Sequence, residues 1–526
     1  MLIRNKNTGE NRKGGESLIR FITDQTYMDR ANKVRNIFLA ILFIIAGGIS
    51  ILNGSYLVTA MYILTILLAV YIIKDKDIYN LLYATLLVSL FYDYTLHVPK
   101  IESIYFFHIV LGIFTLLSLY RVFKEREILA KLDKKVLAFF VIWFIYMCVS
   151  ITWALSKSLS IKYIAIYLMM FAFIVDMMIY NINKERIKKT VNLLLLLVSL
   201  IAVVGAVEVF LGQQLPVKHY FDTFKLSNLH LSIIRARPIV FSFNTNNLAA
   251  ALAILSPICF YAIYKFENII LKIVFTLVTC IAFSLIMIIT SRTGYVSMLF
   301  GFAVYFIYSL FNIKNIKLKG FIFPLILAIS FVFLYKYSFM FMNIKPIEDE
   351  LNGKPQVGNM LADKMHSLES TQFEDGGEGS TNVRGTIIHD VLQGVIKEKN
   401  YLGYGVGNVE QYIREQGNTN KVYSPHCYAV EILGDFGVGG VLLYGVYYLY
   451  LLVSNIIIGI KKKSVMCFAA VSGLIAFAPA SFGPSSITYV FSYWVLMGFA
   501  ISCIQVYKAE DTSYIGRRSK EFTFLR

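Results

Sequence analysis

The chain alternates long apolar runs with short charged clusters. Each run is long enough for a bilayer crossing, which takes roughly 20 residues as a helix. The runs lie at 37–53, 55–73, 78–95, 101–120, 136–155, 159–181, 191–212, 245–264, 269–290, 293–311, 319–341, 427–458, 464–480 and 487–506. They do not alternate residue by residue as barrel strands do, and only helices or closed barrels satisfy the backbone in lipid. The expected fold class is an all-α polytopic membrane protein with 12 to 14 transmembrane helices and one large polar loop, 342–425. The spans at 78–95, which holds Tyr92 and Asp93, and 464–480, which ends near Pro479, carry the weakest signal. The span at 427–458 is longer than a bilayer needs, which predicts a tilt or a start above the membrane.

Composition agrees: 57% of the residues are hydrophobic and only 16% charged, less charge than a soluble chain of this size carries. A formal charge of +17 would suggest nucleic acid in a soluble protein. Here the cations cluster in alternate short loops: Arg121 to Lys135, Lys184 to Lys189, Lys314 to Lys319, Lys461 to Lys463 and Arg517 to Lys520. The positive-inside rule then puts both termini in the cytoplasm and 342–425 outside. No nucleic-acid partner is expected. The polar, basic segment 1–36 precedes the first apolar run, so no cleavable signal peptide is expected. The organisation read is a tail at 1–36, helices at 37–234, a membrane region at 235–341, the outer loop at 342–425, helices at 426–506 and a tail at 507–526. Six cysteines (Cys148, Cys259, Cys280, Cys427, Cys467, Cys503) show no CxxC spacing and read as core residues.

The outer side carries cations that topology does not call for: Arg235, Arg237, Arg292, Arg384 and Arg414. Arginine near hydrocarbon costs a few kcal/mol unless paired or hydrated. Snorkelling to headgroups is one explanation; an anion held between arginines is the other. Arg237-Pro238 precedes the Asn-rich start Asn244 to Asn247, either a plain helix cap or a helix N-terminus suited to phosphate. Leu402-Gly403-Tyr404-Gly405-Val406-Gly407-Asn408 lacks nucleotide-fingerprint spacing and reads as a tight turn after the helix-like stretch 382–397. Pro425 breaks the chain, so His426 stands at the start of the next span. It is either an interfacial cap or a general base working near neutral pH. HExxH is absent, and the remaining histidines show no ligand spacing, so no metal and no cofactor is expected.

These patterns, in this order, resemble the O-antigen ligase and polymerase superfamily of surface-polysaccharide assembly. The likeness rests on Arg237 to Asn247, on Ser291-Arg292, on Arg384 followed by the Gly-x-Gly turn to Gly407, and on His426 followed by an acidic-x-Gly tail to Gly437. It covers roughly 235–440. The resemblance implies a lipid-carrier glycosyltransferase using an undecaprenyl-diphosphate-linked glycan on the outer face. It implies that Arg237 and Arg292 bind the diphosphate, with Arg384 contributing from the loop. His426 would activate an acceptor hydroxyl, with Asn247, Glu431 and Asp435 in support. One departure is Cys427, where many relatives carry Asn. The implied partners are the lipid-linked donor, a glycan or lipid acceptor, membrane lipids and other polysaccharide-assembly proteins. Three activities stay open: a polymerase of lipid-linked repeats, a ligase passing a finished glycan to a lipid or protein, and a flippase. Abundant Lys, Ile and Asn suit an AT-rich, Gram-positive source without a lipopolysaccharide core, which favours the polymerase. The lack of an internal repeat, with Asp176 as the main carboxylate deep in a span, argues against a flippase.

Overall fold

The computed structural model describes residues 33, 36–37, 39–42, 44–49, 52, 56–74, 77–98, 101–217, 233–312, 318–343, 357–366, 380–419 and 422–523. The protein is an all-α polytopic membrane protein. In chain order the helices are α1 (Tyr56–Ile73), α2 (Ile78–Tyr92), α3 (Phe106–Lys124), the short α4 (Glu127–Lys131), α5 (Lys134–Ser150), α6 (Lys157–Tyr180) and α7 (Lys184–Leu211). Then follow α8 (Thr245–Lys265), α9 (Ile269–Ile289), α10 (Arg292–Phe311) and α11 (Leu318–Tyr337). The loop region holds α12 (Val357–His366), α13 (Ser380–Leu392) and α14 (Val409–Gln416), and the chain closes with α15 (Tyr428–Lys462), α16 (Val465–Ala480) and α17 (Phe491–Thr523). Among the described residues, nine helices are long and apolar enough to cross a membrane. Helices stand at thirteen of the fourteen predicted spans; the span at 37–53 is only partly described, with an apolar helix at Leu39–Ile49.

Several boundaries differ from the sequence reading. Residues 101–105 are not helical: they pair antiparallel with 97–98, and α3 starts at Phe106. Residues 151–155 form a turn beyond α5, and α17 begins at Phe491 after a short 3-10 turn at 487–489. The overlong span resolves into two pieces. Gly437 takes φ 63°, ψ −162° inside α15, so a short arm, 428–436, precedes the membrane-length rod. A Cβ on Gly437 would stand 2.0 Å from the Tyr401 carbonyl, and Val438 N–H donates to that carbonyl at 3.0 Å. Only glycine fits both the dihedral and the approach.

The weakest predicted spans are core. All of α2 except Ile78 is buried, and α16 is largely buried between its neighbours. A helix surrounded by protein need not be lipophilic, so α2 carries Asn80, Thr85 and Ser89 inside the bundle. The α8 helix packs against α9, α10 and α16, and α10 packs along α16. Helices at the rim instead expose Leu116, Val332 and Val446, as lipid contact requires. Side-chain caps start several of the helices: Asp133 accepts from Lys135 and Val136 N–H, and Ser291 Oγ from Gly294 N–H. One end of the bundle gathers the N-termini of α6, α8, α10, α15 and α17 with the C-termini of α5, α7, α9 and α16. The polar loop region folds onto that end.

Candidate active site

The hub of this end is the turn joining α16 to α17, Ser481-Phe482-Gly483-Pro484-Ser485-Ser486. His426 is bound to it twice. Its backbone N–H donates to Ser485 O at 3.2 Å, and its Nδ1 lies 3.3 Å from Gly483 O. A carbonyl only accepts, so Nδ1 carries the proton and Nε2 keeps its lone pair. The residue adopts φ +49°, a left-handed conformation uncommon outside glycine, directly after Pro425. Burial, then the positive charge of Arg384, pull the imidazole pKa down to about 4, against the weaker upward pull of the Gly483 and Pro484 carbonyls. His426 is therefore neutral at pH 7 and offers Nε2 as a proton acceptor.

Arg384 lies on α13 and donates through Nη1 to Phe482 O at 3.2 Å. The same turn thus fixes the guanidinium and the imidazole side by side. Glu431, one turn into α15, accepts from Ser486 Oγ, from Thr488 Oγ1 at 3.2 Å and from Ile487 N–H at 3.3 Å. It holds the turn, and the turn holds His426. Asp435 faces the other way, accepting from Gly407 N–H at 2.8 Å and Val409 N–H at 2.9 Å. That clamps the glycine loop onto α15.

The glycine loop is a turn, as its spacing predicts. Gly403, Gly405 and Gly407 all have positive φ. Tyr404 N–H donates to Gly434 O, and Val406 N–H to Ser150 Oγ. Asn408 bridges to α6: its Oδ1 accepts from Ser156 N–H at 2.6 Å and its Nδ2 donates to Ser160 Oγ at 2.8 Å. Backbone donors spent this way cannot cradle a phosphate.

Arg237 and Asn247 sit on a second element of the same end. The segment 233–243 is pinned by α7: the Glu208 carboxylate accepts from Leu215 N–H at 2.8 Å and from Ile239 and Val240 N–H at 2.9 Å. Gln214 Nε2 donates to Arg237 O at 2.7 Å. Val240 is held at φ +53°, a genuine outlier for a β-branched residue. Asn244 caps α8 by accepting from Asn247 N–H at 2.9 Å. Arg292 opens α10 with an exposed side chain. Its neighbour Thr293 packs on the hub, with Oγ1 3.1 Å from where a Cβ on Gly483 would stand. His426, Arg384 and Glu431 thus share one turn, Arg292 starts beside that turn, and Arg237 lies on the strap that leads to Asn247.

A cavity of about 660 Å³ opens between strap and hub. Asn244 and Asn247 line it from α8, Ser485 and Ser486 from the hub, Ser424 from the approach to His426, and Glu410 from α14. Neither the hub turn nor Glu208 stands out in the sequence reading. Two signals point to them: the Gly483-Pro484-Ser485-Ser486 cluster between two spans, a turn signature, and a carboxylate inside an apolar run, which needs a partner.

Residues 275–445 match the model of a family described as O-Antigen ligase. The chain is also similar to the teichuronic acid biosynthesis protein TuaE of Bacillus subtilis (strain 168), with 23% identity over 380 residues that cover 71% of this chain and 72% of that protein. The resemblance read from the local patterns is borne out. The matched stretch contains Arg292, Arg384, His426, Glu431 and Asp435; Arg237 and Asn247 precede it.

Proposed function

We propose that this chain is a membrane glycosyltransferase that polymerises undecaprenyl-diphosphate-linked oligosaccharide repeats into a cell-surface polysaccharide, on the face of the membrane that bears the 342–425 loop. The observation that carries the reading is His426: a neutral imidazole with Nδ1 tied to Gly483 O and a guanidinium held by the same turn. The match to the O-antigen ligase family supports a polysaccharide ligase or polymerase role.

In this mechanism Nε2 of His426 takes the proton from an acceptor sugar hydroxyl as its oxygen attacks the anomeric carbon of the donor. The bond from that carbon to the diphosphate breaks, and undecaprenyl diphosphate leaves with the electron pair. Negative charge grows on the leaving group. Arg384, Arg292 and Arg237 stabilise it, so the reaction needs no metal. Glu431 and Asp435 are positioning residues that keep the hub and the glycine loop against α15, and Asn247 supports the strap side. Direct in-line attack inverts the anomeric centre.

The test is surface-polysaccharide length in a deletion strain complemented with wild type, His426→Ala or Arg292→Ala at matched protein level. Loss of long chains, with single lipid-linked repeats accumulating, is the expected result. Full-length chains stranded on the lipid carrier would identify a ligase. Repeats trapped on the cytoplasmic face would overturn the enzyme reading in favour of a flippase.

A further inference from the structure

The cavity has a wall that the mechanism above does not use. The antiparallel turn at 97–105 and the start of α3 close it on one side with Tyr105 and His108. His108 Nδ1 accepts the Tyr105 backbone N–H at 3.1 Å. The neutral ring therefore carries its proton on Nε2, opposite to His426. The Tyr105 and His108 rings stack with centroids 5.1 Å apart, which fixes the ring plane. Across the cavity, Asn247 Oδ1 is buried without a hydrogen-bond partner among the described residues, although a buried polar atom of this kind is ordinarily satisfied. Glu410 adds a carboxylate, already accepting from Ser424 Oγ at 3.2 Å. Trp494 supplies an aromatic face.

We propose that this cavity is the site for sugar units of the substrate, and that His108 is a substrate-binding residue donating from Nε2 to a sugar hydroxyl or ring oxygen. Sugar hydroxyls both donate and accept, so they answer a fixed donor at His108 and open acceptors at Asn247 and Glu410. A hydrocarbon tail would leave His108 Nε2 and Asn247 Oδ1 unanswered and would desolvate the Glu410 carboxylate. The volume lies within the range of small-molecule sites, about 300–1,000 Å³. Ser485 and Ser424 line the cavity and also flank His426, one through its hydrogen bond and one two residues away. His426 itself is not part of the lining, so a sugar seated here lies against the two segments that hold the base. The assignment rests on the proposed function for its substrate class, but its binding test needs no turnover.

The test uses the purified full-length protein and two probes: the free oligosaccharide released from the host's own lipid-linked repeat, and undecaprenyl phosphate without sugar. Trp494 fluorescence is read against a Trp494→Phe blank. Saturable change with the oligosaccharide, weakened about tenfold in His108→Phe and restored in His108→Gln, is expected, since one buried hydrogen bond is worth about that factor. Lys162 of α6 lines the same cavity from an exposed position, so Lys162→Met, which removes a hydrogen-bond donor without touching the core, should weaken the oligosaccharide signal at unchanged thermal stability and keeps the test decisive if His108→Phe misfolds. If only undecaprenyl phosphate gives a signal, or if neither probe does, the assignment is overturned. Oligosaccharide binding without polymerisation would keep this site and sink the proposed function instead. Where turnover is measurable, His108→Phe should raise KM with kcat nearly unchanged, while His426 variants lower kcat.

Discussion

His426 gathers burial, backbone strain and a neighbouring cation into one side chain. Its pKa is pulled down to about 4, so the sign of the pH dependence is fixed. The base is active when neutral and fails as pH drops through the folded value. The acid limb of kcat/KM should fall well below the ordinary histidine value of about 6.5. Removing the Arg384 charge relieves one of the two downward pulls, so Arg384→Ala should move that limb to higher pH, with a lower rate throughout. An acid limb that stays in place in Arg384→Ala would separate the two residues electrostatically. His426→Ala should cost about 10²–10⁴-fold in rate, the usual worth of a general base, at unchanged thermal stability. Position after Pro425 made this histidine legible in the sequence. Its restraint was not, because the partners Gly483 and Ser485 lie in a turn far along the chain and offer only carbonyls. Backbone acceptors leave no side-chain signature.

The glycine loop and the broken α15 are one unit. Asp435 on the short arm of α15 holds two loop N–H groups, while the Tyr401 carbonyl fills the gap opened at Gly437. The sequence showed the glycines but not their partners, and the excess length of the span was the visible trace of the break. Positive φ alone and positive φ with crowding can be told apart here. Gly407 has φ +74° with a Tyr163 ring carbon 2.2 Å from its notional Cβ, whereas Gly417 has φ +71° with open space around it. Gly417→Ala should cost only the backbone penalty, about 1 kcal/mol. Gly407→Ala must also displace Tyr163 and should lose several kcal/mol in total, read as a far larger fall in the midpoint of thermal unfolding. Equal shifts would mean that the loop does not pack on α6. Asp435→Ala leaves two buried N–H groups unpaired, at about 1–3 kcal/mol each. Limited proteolysis should then cut within 398–408 in the variant and spare the wild type.

At the scale of the molecule, the two spans with the weakest sequence signal, α2 and α16, both proved central, because burial in protein frees a helix from the composition that lipid imposes. Charge proved the more global signal. Arg121 and Arg186 flank one ring, Tyr79, with guanidinium carbons 4.7 and 5.4 Å from its centroid. Lys508 is paired with Asp133 at 2.9 Å and lies over Tyr450, as does Lys135. Clusters far apart in sequence thus meet at one end of the bundle, while His426 and Arg384 occupy the other. Geometry fixes that separation; that the cationic end faces the cytoplasm is what we propose from the positive-inside rule. The orientation can be tested in a cysteine-free background with a membrane-impermeant maleimide. Tyr401→Cys, on an exposed part of the loop, should label in intact cells. Lys461→Cys, exposed at the far end of α15, should label only after permeabilisation. The reverse pattern would put the imidazole and the cavity in the cytoplasm. A polymerase acting on the outer face would then be untenable, because the base and the translocated repeats would lie on opposite sides of the bilayer.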